Sequence, residues 1–475
     1  MSIKSLGKQS LVYGIGHILA RLVTFLLLPL YTNVFTASEY GVVALFYTFL
    51  SFMNVIMRYG LGAAFLKFYV PASDNERNAI FTNVIASLFL TGIPFLLVWH
   101  GFRNLISPII LGINEPSFIS IMGVIIVLDT IWSIPLLGFR AENRPILFII
   151  FSLLNVGITM GLNLFLILKM HMGIRAIFLS NLSASLCIFS LSLPFIYQRF
   201  EFALLDKTRW KSIITFALPF LPAGLFSMAM EVADRYILKY LTDLSTVGIY
   251  NAGYKIGMLM MLAVTAFNFG WQPFFLEKGK GVNQEKLFGK VTTLVLAGLG
   301  FIWLILTLWA DDFIQLKIMG YSFFGEEFQR SIPIVPWIAL GYLFYGFYVL
   351  QTPGIFLKNR PGIAAWTRLL GATSNIIFCF IFIPLYGAIG AAMATCLAFF
   401  LMLVMMYWWN TKLYPIRLEW RKISFITIIL ISGFFVSSGS ADNLFINILI
   451  TGLYPIGLIG SGIIKIDSFK SRVAD

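Results

Sequence analysis

Lysine and arginine residues alternate between the two sides of a series of apolar stretches along this chain. The sequence contains fourteen such stretches, and a bilayer core needs roughly 20 apolar residues per helix. Of the 34 Lys and Arg residues, 23 lie in gaps on the side that carries both chain ends, and six lie in the opposite gaps. Positive charge marks the cytoplasmic face, so the pattern predicts both termini inside and an even number of spans.

The sequence therefore predicts an all-α polytopic membrane protein and excludes a water-soluble domain. Hydrophobic residues make up 59% of the chain and charged residues 12%, about half the usual share of charge. The net charge of +13 is explained by the sided loops and does not require nucleic acid as a partner. The predicted spans lie near 10–35, 41–68, 79–99, 117–139, 146–168, 174–198, 212–238, 247–275, 288–310, 331–356, 362–384, 387–409, 423–439 and 443–464.

An internal repeat is visible in three pairs of similar segments that occur in the same order. The pairs are 39–47 with 246–254, 142–145 with 358–361, and 173–184 with 387–398. They predict that spans 1–6 recur as spans 7–12 in the same orientation, followed by two extra spans. Parallel repeats of this kind enclose a substrate site at their interface. The predicted parts are an N-lobe at 1–205, a C-lobe at 206–411, and spans 13 and 14 with a cytoplasmic tail at 412–475.

Five basic residues lie inside predicted spans, away from the two or three residues at each span end: Arg21, Arg58, Arg235, Lys255 and Arg368. A charged side chain at mid-bilayer costs roughly 2.5–3.5 kcal/mol, so such residues usually have a function. The planar guanidinium of Arg binds phosphate oxygens in pairs, and Lys adds a mobile charge. We therefore predict a cationic cavity for an anionic substrate group, formed by Arg21, Arg58, Lys255 and Arg368. Lys255 and Arg368 lie nearer span ends, where snorkelling is the alternative explanation.

Three acids also lie inside predicted spans: Asp129 in span 4, and Glu231 and Asp234 in span 7. Glu231 and Arg235 are four residues apart on one helix face, which predicts either a self-neutralising pair or a coupling site. Asp129 has no cation within one turn, so it either pairs across helices or takes up a proton.

The sequence predicts neither a cofactor nor a metal site. His17, His100 and His171 lack metal-ligand spacing, and no G-x-x-x-x-G-K-[ST] nucleotide loop occurs. Transport would then be driven by an ion gradient or by the gradient of the substrate. Pro219 and Pro222 remove two backbone donors within one turn of span 7, which predicts a kink. That kink either bends between two states or is static.

Four local motifs carry a resemblance to a known family. They are S-L-G-K-Q-S-L-V-Y-G-I-G (5–16), F-T-A-S-E-Y-G (35–41), R-Y-G-L-G-A-A-F-L-K-F-Y (58–69) and Y-G-A-I-G-A-A-M-A-T (386–395). With these motifs the chain resembles the polysaccharide transporters, the Wzx-type O-antigen or repeat-unit flippases, of the multidrug/oligosaccharidyl-lipid/polysaccharide exporter superfamily. The tract at 58–71 is also similar to the second span of the peptidoglycan lipid II flippases.

The resemblance implies a substrate and a role for two arginines. In those relatives, arginines of spans 1 and 2 line a cavity for pyrophosphate, and Arg21 and Arg58 occupy the matching positions, whereas Lys255 matches by span alone. The implied substrate is an oligosaccharide linked by pyrophosphate to undecaprenol, flipped to the outer leaflet of a bacterial inner membrane. The implied pathway makes O-antigen, capsule or exopolysaccharide, with a polysaccharide polymerase and a chain-length regulator as further partners.

Two other classes of function were weighed against this expectation. A multidrug antiporter of the same superfamily would need an acidic cavity for cationic drugs, yet the intramembrane basic residues outnumber the acidic ones. A polytopic glycosyltransferase or polymerase would need a large extracytoplasmic loop, and the longest gap on that side, about 311–330, is too short for a folded domain. The sequence therefore favours a flippase without enzymatic activity.

Overall fold

A computed structural model of the chain is built almost entirely from helices. It describes residues 25–279, 281, 283–318, 321–439 and 444–463. Within these residues, 10 helical segments are long and apolar enough to cross a membrane, and Leu444–Gly460 is a shorter apolar helix. The predicted all-α polytopic class is confirmed. Most of the first predicted span, including Arg21 and His17, lies outside the described residues.

The chain divides into two compact units, Met1–Gly248 and Ile249–Asp475. The helices of the first unit are α1 (Leu28–Val34), α2 (Ala37–Arg58), α3 (Leu61–Tyr69), α4 (Asp74–Gly101), α5 (Arg103–Leu111), α6 (Pro116–Ala141), α7 (Pro145–Leu168), α8 (Arg175–Arg199), α9 (Lys207–Ala217) and α10 (Phe220–Leu241), with a 3-10 turn at Phe202–Leu204. Helix α11 (Leu244–Gly257) begins in the first unit and continues into the second. The division into lobes at residue 205, which follows from the repeat, stays a prediction.

The second unit continues with the remaining helices and one small hairpin. Its elements are α12 (Leu259–Lys278), α13 (Gln284–Leu308), α14 (Ala310–Gln315), β1 (Lys317–Ile318), β2 (Tyr321–Ser322), a 3-10 helix (Glu326–Ser331), α15 (Ile334–Leu350), α16 (Pro353–Leu357), α17 (Gly362–Leu413), α18 (Trp420–Gly439) and α19 (Leu444–Gly460). The two strands are antiparallel, with Lys317 opposite Ser322. Helix α17 covers two predicted spans, because a kink at Gly387 (φ 54°, ψ −129°) separates its halves.

Several predicted spans are broken helices. The kink expected in span 7 is confirmed, because α9 ends at Ala217 and α10 begins after Pro219. Spans 2, 8 and 10 are also broken, since each is made of two helices. In span 10, Pro353 removes a backbone donor and starts α16. In span 2 the break has a tertiary cause.

The break in span 2 lies against the break in span 7. Tyr59 has φ 30° and Gly60 has φ 81°, so the helix ends at Arg58 and a new helix starts at Leu61. A Cβ atom on Gly60 would lie 2.0 Å from the carbonyl oxygen of Ala217. Glycine is therefore required at position 60 both for its left-handed conformation and for the space it leaves. The two helix breaks are held in register by this contact.

A second close contact joins two glycines that the internal repeat makes equivalent. A Cβ on Gly41 in α2 would lie 2.0 Å from the carbonyl oxygen of Leu244, and a Cβ on Gly248 in α11 would lie 1.9 Å from that of Ala37. The contact is reciprocal, because residue 244 is the repeat equivalent of residue 37, just as Gly248 is the repeat equivalent of Gly41. Because glycine has no side chain, the backbones of α2 and α11 touch directly at these positions, as small residues allow between helices in membranes.

A cluster of charged and phenolic groups joins the basic-loop ends of three helices in the first unit. Glu142, just after α6, accepts a hydrogen bond from the Tyr69 hydroxyl at 2.6 Å and forms an ion pair with Arg199 at 2.6 Å. A further nitrogen, Nε of Arg144, lies 3.4 Å from its second oxygen. The Glu142 side chain is 8% exposed, so its charge is offset by these partners rather than by water. The cluster fixes the ends of α3, α6 and α8 relative to one another.

Candidate functional site

Arg58 lies at the broken end of α2, where the chain leaves helical geometry. It is the basic residue of the last helical turn, and the residue after it adopts a left-handed conformation. The negative end of the helix dipole favours a cation at this position. The break thus places a guanidinium beside exposed helix carbonyl groups, in the part of span 2 that the sequence marked as functional.

The Arg58 side chain is half-buried, and its Nε atom is buried without a hydrogen-bond partner within the described part of the chain. Its electrostatic partner among the described residues is Asp129 on α6, with which it interacts without forming a close ion pair. A buried donor without a partner costs free energy, more so when it belongs to a charged group. An anionic ligand with oxygen atoms would supply what this guanidinium lacks.

Asp129 forms hydrogen bonds both within α6 and across to α8, and the choice between the two alternatives left open by the sequence stays a prediction. Its Oδ1 accepts a hydrogen bond from the Ser185 hydroxyl on α8 at 2.6 Å and from the Trp132 indole at 2.9 Å. Both donors are neutral, and Arg58 on α2 is the charged group that interacts with Asp129 at longer range. The arrangement orients Asp129 firmly, and leaves its proton uptake as a hypothesis for experiment.

The acid–base group of α10 brings Arg235 into contact with both neighbouring acidic residues of the helix. Arg235 donates to Oδ1 of Asp234, its neighbour in the chain, at 2.9 Å, and to the backbone carbonyl of Glu231 at 2.7 Å. One ion pair thus joins adjacent residues, and the predicted pairing of Arg235 with the carboxylate of Glu231 stays a prediction. Asp234 is 0% exposed and Arg235 is 6% exposed, so this pair is an internal feature of the first unit.

Two of the predicted cavity cations lie in the second unit. Lys255 is half-buried in the last turn of α11, and Arg368 is exposed in the second turn of α17. Arg21 lies outside the described residues. The single cationic cavity proposed from the sequence therefore stays a prediction. Of its four predicted residues, Arg58 is the one that lies in the described part of the first unit.

A basic pocket that sequence reasoning did not single out lies near the loop-side ends of spans 2 and 7. It has a volume of about 600 Å³. Its lining residues are Lys67, Phe68, Thr208, Lys211, Ser212, Thr215 and Phe216. In the sequence, Lys67 and Lys211 counted simply as charges of cytoplasmic loops. They lie far apart in the chain, and the packing of α3 on α9 is what brings them to one pocket.

The comparisons with known proteins agree with this architecture. Residues 6–277 match the family of polysaccharide biosynthesis proteins, and the chain belongs to that family. It is 21% identical to an uncharacterised membrane protein of Methanocaldococcus jannaschii over 98% of each chain. An uncharacterised membrane protein of Haemophilus influenzae is 23% identical over 82% of this chain and 94% of its own.

Solved structures of two transporter types share the fold. The lipid II flippase MurJ in an inward closed conformation superimposes with a TM-score of 0.78 at 16% identity, covering 96% of this chain and 100% of that chain. A multidrug resistance MATE family transporter of the MOP superfamily, in an inward-facing conformation, gives 0.64 at 12% identity, covering 87% and 94%. The resemblance noted in the sequence is confirmed as membership of the polysaccharide biosynthesis family. The chain is a multi-pass membrane protein whose fold is shared with these two structures.

Proposed function

We propose that this protein flips a polyprenyl-pyrophosphate-linked oligosaccharide from the inner to the outer leaflet of a bacterial cytoplasmic membrane. The lipid is undecaprenol, and the sugar is a repeat unit for O-antigen, capsule or exopolysaccharide. A polysaccharide polymerase and a chain-length regulator would act on the product. The polysaccharide biosynthesis family supports the pathway, and the fold shared with a lipid II flippase supports the kind of transport.

The observation that supports the substrate class most directly is the state of Arg58. Its buried Nε has no hydrogen-bond partner among the described residues, and a pyrophosphate offers several oxygen acceptors in the geometry that a guanidinium prefers. Arg21, on the preceding predicted span, is expected to bind the same group. Asp129 then attracts Arg58 from beyond ion-pair distance. The guanidinium is not neutralised at close range, so the site stays cationic.

The direction of transport needs no dedicated driving ion. Moving a dianionic headgroup outward is favoured by an inside-negative potential, by about 2.3 kcal/mol per charge per 100 mV. The polyprenyl chain stays in the bilayer throughout, so the protein has to accommodate the headgroup and sugars. A cationic site between two leaflets is sufficient for this task, and ion coupling would add direction or rate.

A flipping assay with matched variants tests the proposal. Purified protein in proteoliposomes would be given a fluorescent polyprenyl-pyrophosphate saccharide, and arrival in the opposite leaflet would be followed by chemical quenching. We expect Arg58→Ala to slow flipping about 10- to 100-fold, the loss expected for hydrogen bonds to a charged group. Arg58→Lys should recover part of the rate, because it keeps the charge and loses the planar fork.

The control is Arg175→Ala, which removes the same side chain from an exposed position at the start of α8. It should flip at the wild-type rate. Normal flipping by Arg58→Ala would remove Arg58 from the binding site. Absence of flipping by the wild-type protein, with several saccharide lengths, would contradict the proposed function itself.

A multidrug antiporter is the second candidate, favoured by the fold shared with the MATE transporter. Such an antiporter would expel a cationic dye when a sodium or proton gradient is imposed. Arg58 argues against it, since a buried guanidinium repels a cationic ligand. We expect dye efflux at the level of empty liposomes, and gradient-driven efflux would favour this candidate instead.

A further inference from the structure

The halves of spans 2 and 7 on the basic-loop side form a packed pair within the first unit. Helix α3 packs on α9, with Leu61, Phe65, Ile213 and Ala217 in one buried cluster. Both helices are separated from the rest of their spans by the breaks at Gly60 and Pro219. The charge pattern places this pair at the cytoplasmic face. It is therefore on the side from which a substrate made in the cytoplasm arrives.

The basic pocket of this pair has the chemistry of a site for phosphate groups. Its lining combines two ammonium groups, three hydroxyl groups and two phenyl rings, and the lining residues include no acid. The Lys67 ammonium lies 3.6 Å from the centre of the Phe216 ring, a cation–π contact that holds the charge at the pocket wall. Lys211 and the hydroxyls of α9 face the same space. Ammonium and hydroxyl donors together satisfy phosphate oxygens.

Two acids near the pocket accept hydrogen bonds from other groups. Asp206 accepts a hydrogen bond from the backbone N–H of Thr208 at 2.8 Å and so caps α9. Glu76, in a neighbouring cavity of about 290 Å³ that Arg209 also lines, accepts hydrogen bonds from Ser73. Neither carboxylate lines the pocket of Lys67 and Lys211. The two lysines therefore remain available to an incoming anion.

The pocket also lies on the way to Arg58. Lys67 follows Arg58 by nine residues in the same span, on the other side of the break at Tyr59 and Gly60. Lysine is a flexible, strongly hydrated point charge that binds and releases, whereas arginine holds phosphate in a fixed geometry. The order along span 2 is thus a loose site near the surface followed by a more rigid site in the membrane.

We propose that the pocket of Lys67 and Lys211 captures the phosphate-bearing headgroup of a lipid in the cytoplasmic leaflet before it reaches Arg58. This inference rests on the proposed function and adds a first binding step to it. The phenyl rings of Phe68 and Phe216 contact the apolar part of the lipid next to the phosphate. The chemistry is shared by a prenyl pyrophosphate and by an anionic phospholipid, and the experiment separates the two.

The test measures binding of farnesyl pyrophosphate to the full chain in phosphatidylcholine nanodiscs by equilibrium dialysis. It is done in the Arg58→Ala background, which removes the deeper site. We expect this background to bind the probe, and the added double change Lys67→Gln, Lys211→Gln to weaken binding roughly 30-fold, as two interfacial lysines predict. The pair Lys67→Arg, Lys211→Arg should retain binding, because it keeps both charges.

The matched control is Lys207→Gln with Lys286→Gln, which removes the same charge from basic-side residues outside the pocket lining. It should bind like the background variant. Equal binding by the pocket variant and this control would overturn the proposal. Competition by phosphatidylglycerol in the nanodisc as strong as by the prenyl pyrophosphate would also overturn it, since the pocket would then be an ordinary phospholipid site.

The outcome is independent of the flipping assay. Wild-type protein that flips the saccharide while the pocket variant binds like its control would leave the proposed function standing and remove the capture site. Probe binding that depends on Lys67 and Lys211, with no flipping of any saccharide, would support the capture site and contradict the flippase.

Discussion

The reciprocal contact between Gly41 and Gly248 allows a prediction whose sign is opposite to that of ordinary helix glycines. An alanine at either position would place its Cβ about 2 Å from a carbonyl oxygen of the facing helix, at Leu244 or Ala37. Ordinary van der Waals contacts start at 3.4 Å. Helices α2 and α11 would therefore have to separate by about 1 Å or more, because a close-packed interior has no free volume to absorb the overlap.

The magnitude follows from two opposing effects. Overpacking of this kind costs about 1–3 kcal/mol of unfolding free energy, while alanine in a helix interior is about 1 kcal/mol more favourable than glycine. The overlapping atoms belong to the backbone at both positions, so the upper part of the overpacking range applies. We therefore expect a net loss of about 1–2 kcal/mol for Gly41→Ala and the same for Gly248→Ala. The double variant should lose less than the sum of the two, since the first change already separates the helices.

The unfolding free energy would be measured by titrating the purified protein with SDS in mixed micelles. Gly157→Ala and Gly161→Ala in α7 are the controls, because a Cβ at either position meets nothing within 4 Å. These controls should leave stability unchanged or raise it by up to about 1 kcal/mol. A neutral or stabilising effect of Gly41→Ala and Gly248→Ala, or strictly additive losses in the double variant, would refute the reasoning.

Three further predictions concern other parts of the molecule. Glu142→Gln removes the acid of the buried cluster and should lower the unfolding free energy by about 2–3 kcal/mol, whereas Glu277→Gln, in an exposed pair, should change it by less than about 1 kcal/mol in the same titration. Reporter fusions after Arg144 and after Lys290 should both read cytoplasmic, and a periplasmic reading at either would contradict the topology. Asp129→Asn should bind the headgroup normally but lose any response of flipping to an imposed pH gradient; if wild-type flipping ignores the gradient, Asp129 has a structural role alone.

The sequence was sufficient for the properties that depend on local composition. Hydropathy located the long apolar helices, whereas the orientation inferred from charge asymmetry stays a prediction. The break in span 7 was also accessible, because Pro219 and Pro222 remove backbone donors wherever they occur. The repeat segments 39–47 and 246–254 contain Gly41 and Gly248 at equivalent positions. These two glycines form the close contact between α2 and α11.

The features that the sequence did not provide depend on contacts between distant segments. Gly60 lies in an apolar run that reads as continuous helix, and its left-handed conformation becomes evident when Ala217 is seen beside it. Helix periodicity does not show which rotamer Arg235 adopts, so it could not predict the ion pair of Arg235 with Asp234. Lys67 and Lys211 form one pocket because α3 packs on α9, a consequence of both broken helices.

The broken helix gives a physical reason why Arg58 can remain charged inside a membrane without a close acid. An uninterrupted span 2 would place the guanidinium beside a helix whose carbonyl groups are all used, and the cost of its charge would require a neighbouring carboxylate. Ending the helix at Arg58 puts the cation at the negative end of the helix dipole, which offsets part of that cost. Asp129 adds attraction from a distance at which it does not occupy the guanidinium. Within the described residues, the result is a cation that the fold stabilises while its Nε still has no hydrogen-bond partner. This is the condition for binding and then releasing an anionic headgroup.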